Sequence, residues 1–194
     1  MKVLICVDMQ NDFVTGALGS PEAKAIVPNV VKLIQDHSET MTLLLYTQDT
    51  HTENYMETVE GSYLPVPHCI EGTDGWELIP ELKALDIEEY CYWDEPEKGI
   101  IMSCIKKPTF GSAKLIETLQ SLVFDESETI DEFLFCGVCT DICVISNVLL
   151  VKAFFPEIPI TVDASCCAGV TPEKHAAALE VMKSCHINVI NEEV

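Results

Sequence analysis

The chain runs to 194 residues and is 48% hydrophobic, with 32 acidic side chains against 11 basic ones and a formal net charge of −21. That length suits a single domain over 1–194 and buries roughly 70% of the unfolded surface, which excludes a disordered protein. The acidity excludes nucleic acid and anionic membranes as partners, since both reward basic patches, and no apolar run reaches the ~18 residues of a membrane span.

Val3–Val7 reads as a short buried strand. Only five apolar residues separate Lys2 from Asp8, too few for a secretory signal, so a cytoplasmic chain is expected. The ten cysteines then read as free thiols: Cys6, Cys104, Cys136 and Cys185 sit in apolar runs, where a reduced cysteine acts as a small hydrophobe. Ser20-Pro21-Glu22 places a cap, a proline and an acid at the start of a helix reaching about His37. Thr42–Tyr46 is a second buried strand. From Thr47 to Gly75 the chain is polar and rich in proline and glycine, and a loop of that length is usually functional. A short helix is expected near Trp76–Leu85, a short strand at Tyr90–Trp93, a strand at Ile100–Ile105 and a helix at Ser112–Leu122. Asp125–Asp131 reads as a solvated acidic turn. A central strand at Glu132–Val138, a helix at Thr140–Phe155, a strand at Ile158–Val162, a helix opened by Thr171-Pro172-Glu173 and ending near Cys185, and a strand at Ile187–Ile190 complete the pattern. Strands alternating with helices argue an α/β fold with a parallel sheet covered on both faces, and ligands of such sheets bind outside the carboxyl ends of the strands.

The chemically able residues fall at those ends. Asp8 follows the first strand, Asp49 and His51 the second, Lys107 the Ile100–Ile105 strand and Cys143 the central strand. Cys143 lies at or just inside a helix start, where free N–H groups and the helix dipole favour a thiolate and an oxyanion. A carboxylate next to a thiolate needs a cation between them, and Lys107 supplies it; Lys106 points to the opposite face of an extended strand. Asp49-Thr50-His51 puts two ligand types at i and i+2, His68 lies on the same loop, and Glu60 or Glu57 can add a fourth donor. Such a set holds a divalent metal, zinc first, with iron or manganese also compatible. Cys136-Gly137-Val138-Cys139 matches Cys-x-x-Cys in form only, since it lies in a strand. Cys166-Cys167 reads as loop or core, His175 as a structural or capping histidine, and Trp76 and Trp93 as core or pocket wall.

Three motifs in order, Val7-Asp8-Met9-Gln10-Asn11-Asp12-Phe13, Lys107-Pro108-Thr109-Phe110 and Gly137-Val138-Cys139-Thr140-Asp141-Ile142-Cys143-Val144, resemble the isochorismatase-like cysteine hydrolases. Asp49-x-His51 with His68-Cys69 resembles the metal motif of their nicotinamidase branch. The resemblance spans nearly the whole chain. It implies a three-layer, doubly wound sheet of about six mostly parallel strands and a triad of Asp8, Lys107 and Cys143. It also implies a cis Val138–Cys139 bond that aims the N–H of Cys139, with that of Cys143, at the oxyanion. The activity implied is hydrolysis of a small linear amide, nicotinamide first, through a cysteine thioester, within pyridine nucleotide metabolism. The metal implied binds the substrate ring. The chain departs from the family where a third metal histidine often stands, with Glu60 or Glu57 in that region. It departs again before His68, where Pro65-Val66-Pro67 replaces an aromatic wall, leaving Phe13, Tyr63 and Leu64 as the ring-pocket residues. An amidase for a carbamoyl or ureido compound, and a non-catalytic binding protein on the same fold, are the alternatives. A homo-oligomer is left open.

Overall fold

The computed structural model describes residues 1–38, 42–85, 102–123 and 129–192. The expected strand at Tyr90–Trp93, the first two residues of the Ile100–Ile105 strand and most of the acidic turn lie outside them. Six strands form one sheet: β1 (Lys2–Val7), β2 (Thr42–Asp49), β3 (Met102–Lys107), β4 (Glu132–Val138), β5 (Ile160–Ala168) and β6 (Asn188–Ile190). Every pairing is parallel and the spatial order is β3-β2-β1-β4-β5-β6. The helices are α1 (Asn11–Val14), α2 (Pro21–Ser38), α3 (Val59–Tyr63), α4 (Pro80–Lys83), α5 (Ala113–Val123), α6 (Ile145–Phe154) and α7 (Pro172–Ser184).

Alternation along the strands divides the interior in two. Val3, Ile5 and Val7 of β1 join Phe133 and Phe135 of β4 in a core closed by Leu115 and Leu119 of α5, Val148 and Val151 of α6 and Leu179 and Met182 of α7. Leu4 and Cys6, with Tyr46 and Cys136, face Ala23, Ile26, Val27, Val30 and Ile34 of α2. The spacing of these α2 residues is that of one helix face. The result is the expected three-layer α/β arrangement. Local chemistry sets the helix starts. Ser20 Oγ accepts from Ala23 N at 3.0 Å, Ser112 Oγ from Leu115 N at 3.0 Å and Thr171 Oγ1 from Lys174 N at 3.3 Å.

Several boundaries differ from the sequence reading. β2 runs three residues past Tyr46, so Thr47, Gln48 and Asp49 are strand residues. β5 runs to Ala168 rather than Val162. Its register against β4 jumps from Phe135↔Val162 to Gly137↔Cys167, an irregularity that takes up the extra residues. Asp163 makes this possible: Oδ1 accepts from Ser165 N (3.1 Å) and Oγ (2.7 Å), and Oδ2 from Asn191 Nδ2 (3.0 Å). Cys166 and Cys167 are therefore buried strand residues, not loop. The expected helix at Trp76–Leu85 is a 3₁₀ turn at Asp74–Trp76 followed by α4, and the loop after β2 contains a 3₁₀ turn at Tyr55–Glu57 and α3. The nine cysteines among the described residues are free thiols, and no described helix is long and apolar enough to cross a membrane.

At the carboxyl end of β4 the chain passes Gly137 and then the Val138–Cys139 peptide, which is cis. Gly137 has φ +116°, and a Cβ there would sit 2.1 Å from the Val7 carbonyl oxygen. Both the backbone angle and the close approach of β1 require glycine. Gly137→Ala is expected to destabilise the protein by at least about 2 kcal/mol, read from the urea midpoint; an unchanged midpoint would contradict this account of the β1–β4 contact.

Candidate active site

Lys107, the last residue of β3, ends in a buried ammonium. Its Nζ lies 2.6 Å from Asp8 Oδ2, 3.5 Å from Cys143 Sγ and 3.5 Å from Asp49 Oδ1. Strand alternation sends Lys106 the other way, where its Nζ is 2.6 Å from Glu71 and 4.9 Å from the centroid of the Trp76 ring. Asp8 follows β1 with φ +50° in a tight turn, its carbonyl accepting from Gln10 N at 2.7 Å. Thr47 Oγ1 donates to Asp8 Oδ1 at 2.6 Å, which leaves Oδ2 facing Lys107. Cys143 is delivered by a wide π-type turn, Thr140–Val144, whose Val144 N–H reaches back to the Cys139 carbonyl at 3.1 Å. The turn is anchored from α7 and the loop before it: Thr140 Oγ1 shares a 2.8 Å hydrogen bond with His175 Nδ1, and Asp141 Oδ1 accepts from Val170 N at 2.9 Å. His175 is thus structural, as its place on the last helix suggested.

Burial, and then the charge of Asp8, push the Cys143 thiol well above its ordinary range against the opposing pull of Lys107. The thiolate that the helix start and Lys107 were expected to favour is thus opposed by burial and by Asp8. Burial also raises the Asp8 carboxyl, opposed by Lys107 and reinforced by the Asp49 charge, which makes Asp8 a better proton acceptor. Burial opposes the charge on Lys107, but the nearby carboxylates, Asp8 first and then Asp49, outweigh it and hold the amine protonated. The Cys139 thiol is pushed up to about 12 by burial and by Asp141, so it offers no competing thiolate.

Beside this cluster, donor atoms of Asp49, His51, Glu60 and His68 lie within 4.8 Å of one another. Asp49 Oδ2 is 2.9 Å from His51 Nε2 and 3.5 Å from His68 Nε2, and Glu60 Oε1 is 3.7 Å from both ring nitrogens. Glu57 is exposed in the preceding turn and stands outside the group. His68 Nδ1–H donates to the Val66 carbonyl at 2.8 Å, so its Nε2 offers a lone pair to the shared point. Two imidazole nitrogens and two carboxylates converging on one point fit a divalent cation, with the Lys107 ammonium 3.5 Å from the other Asp49 oxygen.

The surroundings were less legible. Phe13 packs edge-on against His68 with centroids 5.5 Å apart. Tyr63 and Leu64 do not meet the expectation: Tyr63 is 87% exposed and Leu64 37%. The residue that walls the histidines is the buried Tyr55, 4.7 Å from the His51 ring and 5.0 Å from that of His68 by centroid, with its hydroxyl donating to the Leu64 carbonyl at 2.9 Å. Trp76 is half-buried and donates Nε1–H to Thr50 Oγ1 at 2.9 Å. Gln10 was also missed. Its Oε1 accepts from Asp49 N at 2.8 Å, and its Nε2 donates to Asp49 O at 2.9 Å and to Trp76 O at 2.7 Å. Its sequence signal was its place two residues after Asp8, inside the first of the three motifs. Asp12 supports the metal-type loop in the same manner, accepting from Cys69 N at 2.8 Å.

A family model described as the isochorismatase domain matches residues 2–194, and the chain belongs to that family. It is 26% identical over 208 residues to a nicotinamidase/pyrazinamidase of Mycobacterium tuberculosis, covering 98% of each chain. Its fold superposes on a nicotinamidase from Bacillus subtilis with a TM-score of 0.77 at 27% identity, covering 98% of this chain and 99% of that one. A pyrazinamidase of Pyrococcus horikoshii, solved in complex with zinc, gives a TM-score of 0.75 at 27% identity and 98% coverage of each chain.

Lys107 is the counter-charge for two buried carboxylates, so Lys107→Met is expected to lower unfolding free energy by about 3–5 kcal/mol. Adding Asp8→Asn should recover part of the loss, because one of the uncompensated charges is then gone. Urea titrations of the two variants check both; a single variant as stable as the parent would remove the ion pair from this role.

Proposed function

We propose that this isochorismatase-family amidohydrolase is a nicotinamidase, converting nicotinamide to nicotinate and ammonia through a cysteine thioester. The observation that carries the reading is the position of the Lys107 ammonium between two groups. On one side are Asp8 and Cys143; on the other is Asp49, whose second oxygen belongs to the His51–Glu60–His68 cluster. A small aromatic amide can therefore present its ring to the metal-type ligands and its carboxamide carbon to the thiol.

In this reading Asp8 accepts the Cys143 proton as Sγ attacks the carboxamide carbon, so no free thiolate accumulates in a site that disfavours it. Lys107 offsets the negative charge shared by Asp8 and sulfur while the proton moves. The backbone N–H groups of Cys139 and Cys143 receive the oxyanion. Asp8 returns the proton to the departing amine, the C–N bond breaks and ammonia leaves. Water, deprotonated by Asp8, then adds to the thioester; the C–S bond breaks and the proton returns to Cys143. Asp49, His51, Glu60 and His68 would hold one divalent cation, zinc first among the candidates, which supplies a Lewis-acid site for the ring nitrogen when bound. Phe13 and Tyr55 flank that point and limit the ring's freedom.

The purified protein is expected to release ammonia from nicotinamide. Cys143→Ala should lower kcat/KM by at least about 10³-fold; unimpaired turnover by that variant would falsify the mechanism. Chelation, or His51→Ala, is expected to raise KM by about tenfold or more, with activity restored to the chelated protein by added Zn²⁺. Turnover of carbamoyl or ureido compounds that ignores the chelator, with none of nicotinamide, would favour the alternative amidase.

A further inference from the structure

The geometry points to Asn147, a buried residue on the first turn of α6, as a positioning residue that sets the Lys107-to-Cys143 distance. The inference deepens the proposed function and rests on the same thiol. Asn147 is fully buried, and an amide in that position is destabilising unless its hydrogen bonds are made. They are made, and to a particular set of partners. Nδ2 donates to the carbonyl of Cys143 at 2.8 Å and to the carbonyl of Phe110 at 3.0 Å, and Oδ1 accepts from the N–H of Ser112 at 2.9 Å.

One partner is the backbone of the nucleophile. The other two lie on the Pro108–Ser112 loop, which leaves β3 directly after Lys107 and whose last residue caps α5. The Nζ–Sγ separation of 3.5 Å depends on where β3 ends and where the π-type turn begins, two segments far apart in the chain. Asn147 joins them by hydrogen bonds from one rigid, two-torsion side chain. In the apolar run of α6 an aliphatic residue would satisfy burial alone, so a fully used amide there is explained by the loop it holds.

The test uses Asn147→Ala and the near-isosteric Asn147→Leu, which keeps packing and loses all three hydrogen bonds. Asn29→Ala serves as a control for stability, since Asn29 donates to the Ser165 carbonyl (2.9 Å) on the opposite core and touches none of the triad. Misplacing a reacting group by about 1 Å costs up to roughly 100-fold, so both Asn147 variants should show kcat lowered about 10- to 100-fold with KM within about threefold of the parent. The rate of Cys143 alkylation by iodoacetamide, followed by peptide mass spectrometry, should change by at least about fivefold, because the Lys107–thiol spacing has changed. Asn29→Ala should leave both quantities at parental values even where its melting temperature falls. Asn147 variants that melt cooperatively yet keep parental kcat and alkylation rate would overturn the inference, as would a KM effect without a kcat effect. If one Asn147 variant does not fold, the other carries the comparison. If the parent protein releases no ammonia from nicotinamide, that substrate reading fails by itself, and the alkylation rates still decide the role of Asn147.

Discussion

A single desolvated ammonium organises this molecule. Lys107 has given up water, and burial by itself would drive it neutral. It stays charged because the carboxylates of Asp8 and Asp49 come to it from two other strand ends, while the Cys143 thiol arrives from a third. That convergence demands the parallel sheet: only when β1, β2, β3 and β4 all run the same way do their carboxyl ends share an edge. It also demands the close contact of β1 with β4 at Gly137, since the acid and the nucleophile leave from those two strands. The apolar cores above and below the sheet stabilise the chain, but what they position is the environment of one nitrogen.

The alternation of apolar runs with helix signals was enough to place the strands and to assign a parallel α/β architecture. It failed where buried residues are polar. Thr47, Gln48 and Asp49 look like the start of a loop, yet they continue β2, because Asp8 accepts from Thr47, Cys104 donates to Gln48 and Gln10 engages Asp49. Asp163 and Ser165 hid the second half of β5 in the same way, by satisfying each other. Hydrophobic patterning detects residues that are buried because they are apolar. It has no term for residues buried because a partner from a distant segment completes them.

The site divides along the same line. Lys107 could be told from Lys106 because alternation is a local rule, and Asp49 and His51 could be put on one side because they are two residues apart. Among the acids of the loop, Glu60 rather than Glu57 joins the histidines, a choice that spacing favours only slightly and the turn between them makes. Tyr55 and Tyr63 are both aromatic, both near the histidines in sequence, and opposite in burial; their order along the loop carries no information about which one turns inward. Gln10 and Asn147 were invisible as functional residues for a related reason. Each acts on a backbone that is brought to it by the fold.

Asp49 is shared between the two clusters. One of its oxygens faces the ammonium of Lys107 and the other faces His51 and His68. Charge drawn toward one oxygen is charge withdrawn from the other. A cation at the histidine side would therefore weaken the hold of Asp49 on Lys107 and leave that ammonium more fully to Asp8 and the thiol. By reciprocity, whatever strengthens the Lys107–Asp49 contact weakens cation binding by the same free energy, which for directly bridged sites is on the order of 1–3 kcal/mol. The two halves of the site are thus not merely neighbours. With a cation held there they would form one thermodynamic unit, with a single carboxylate as the coupling element.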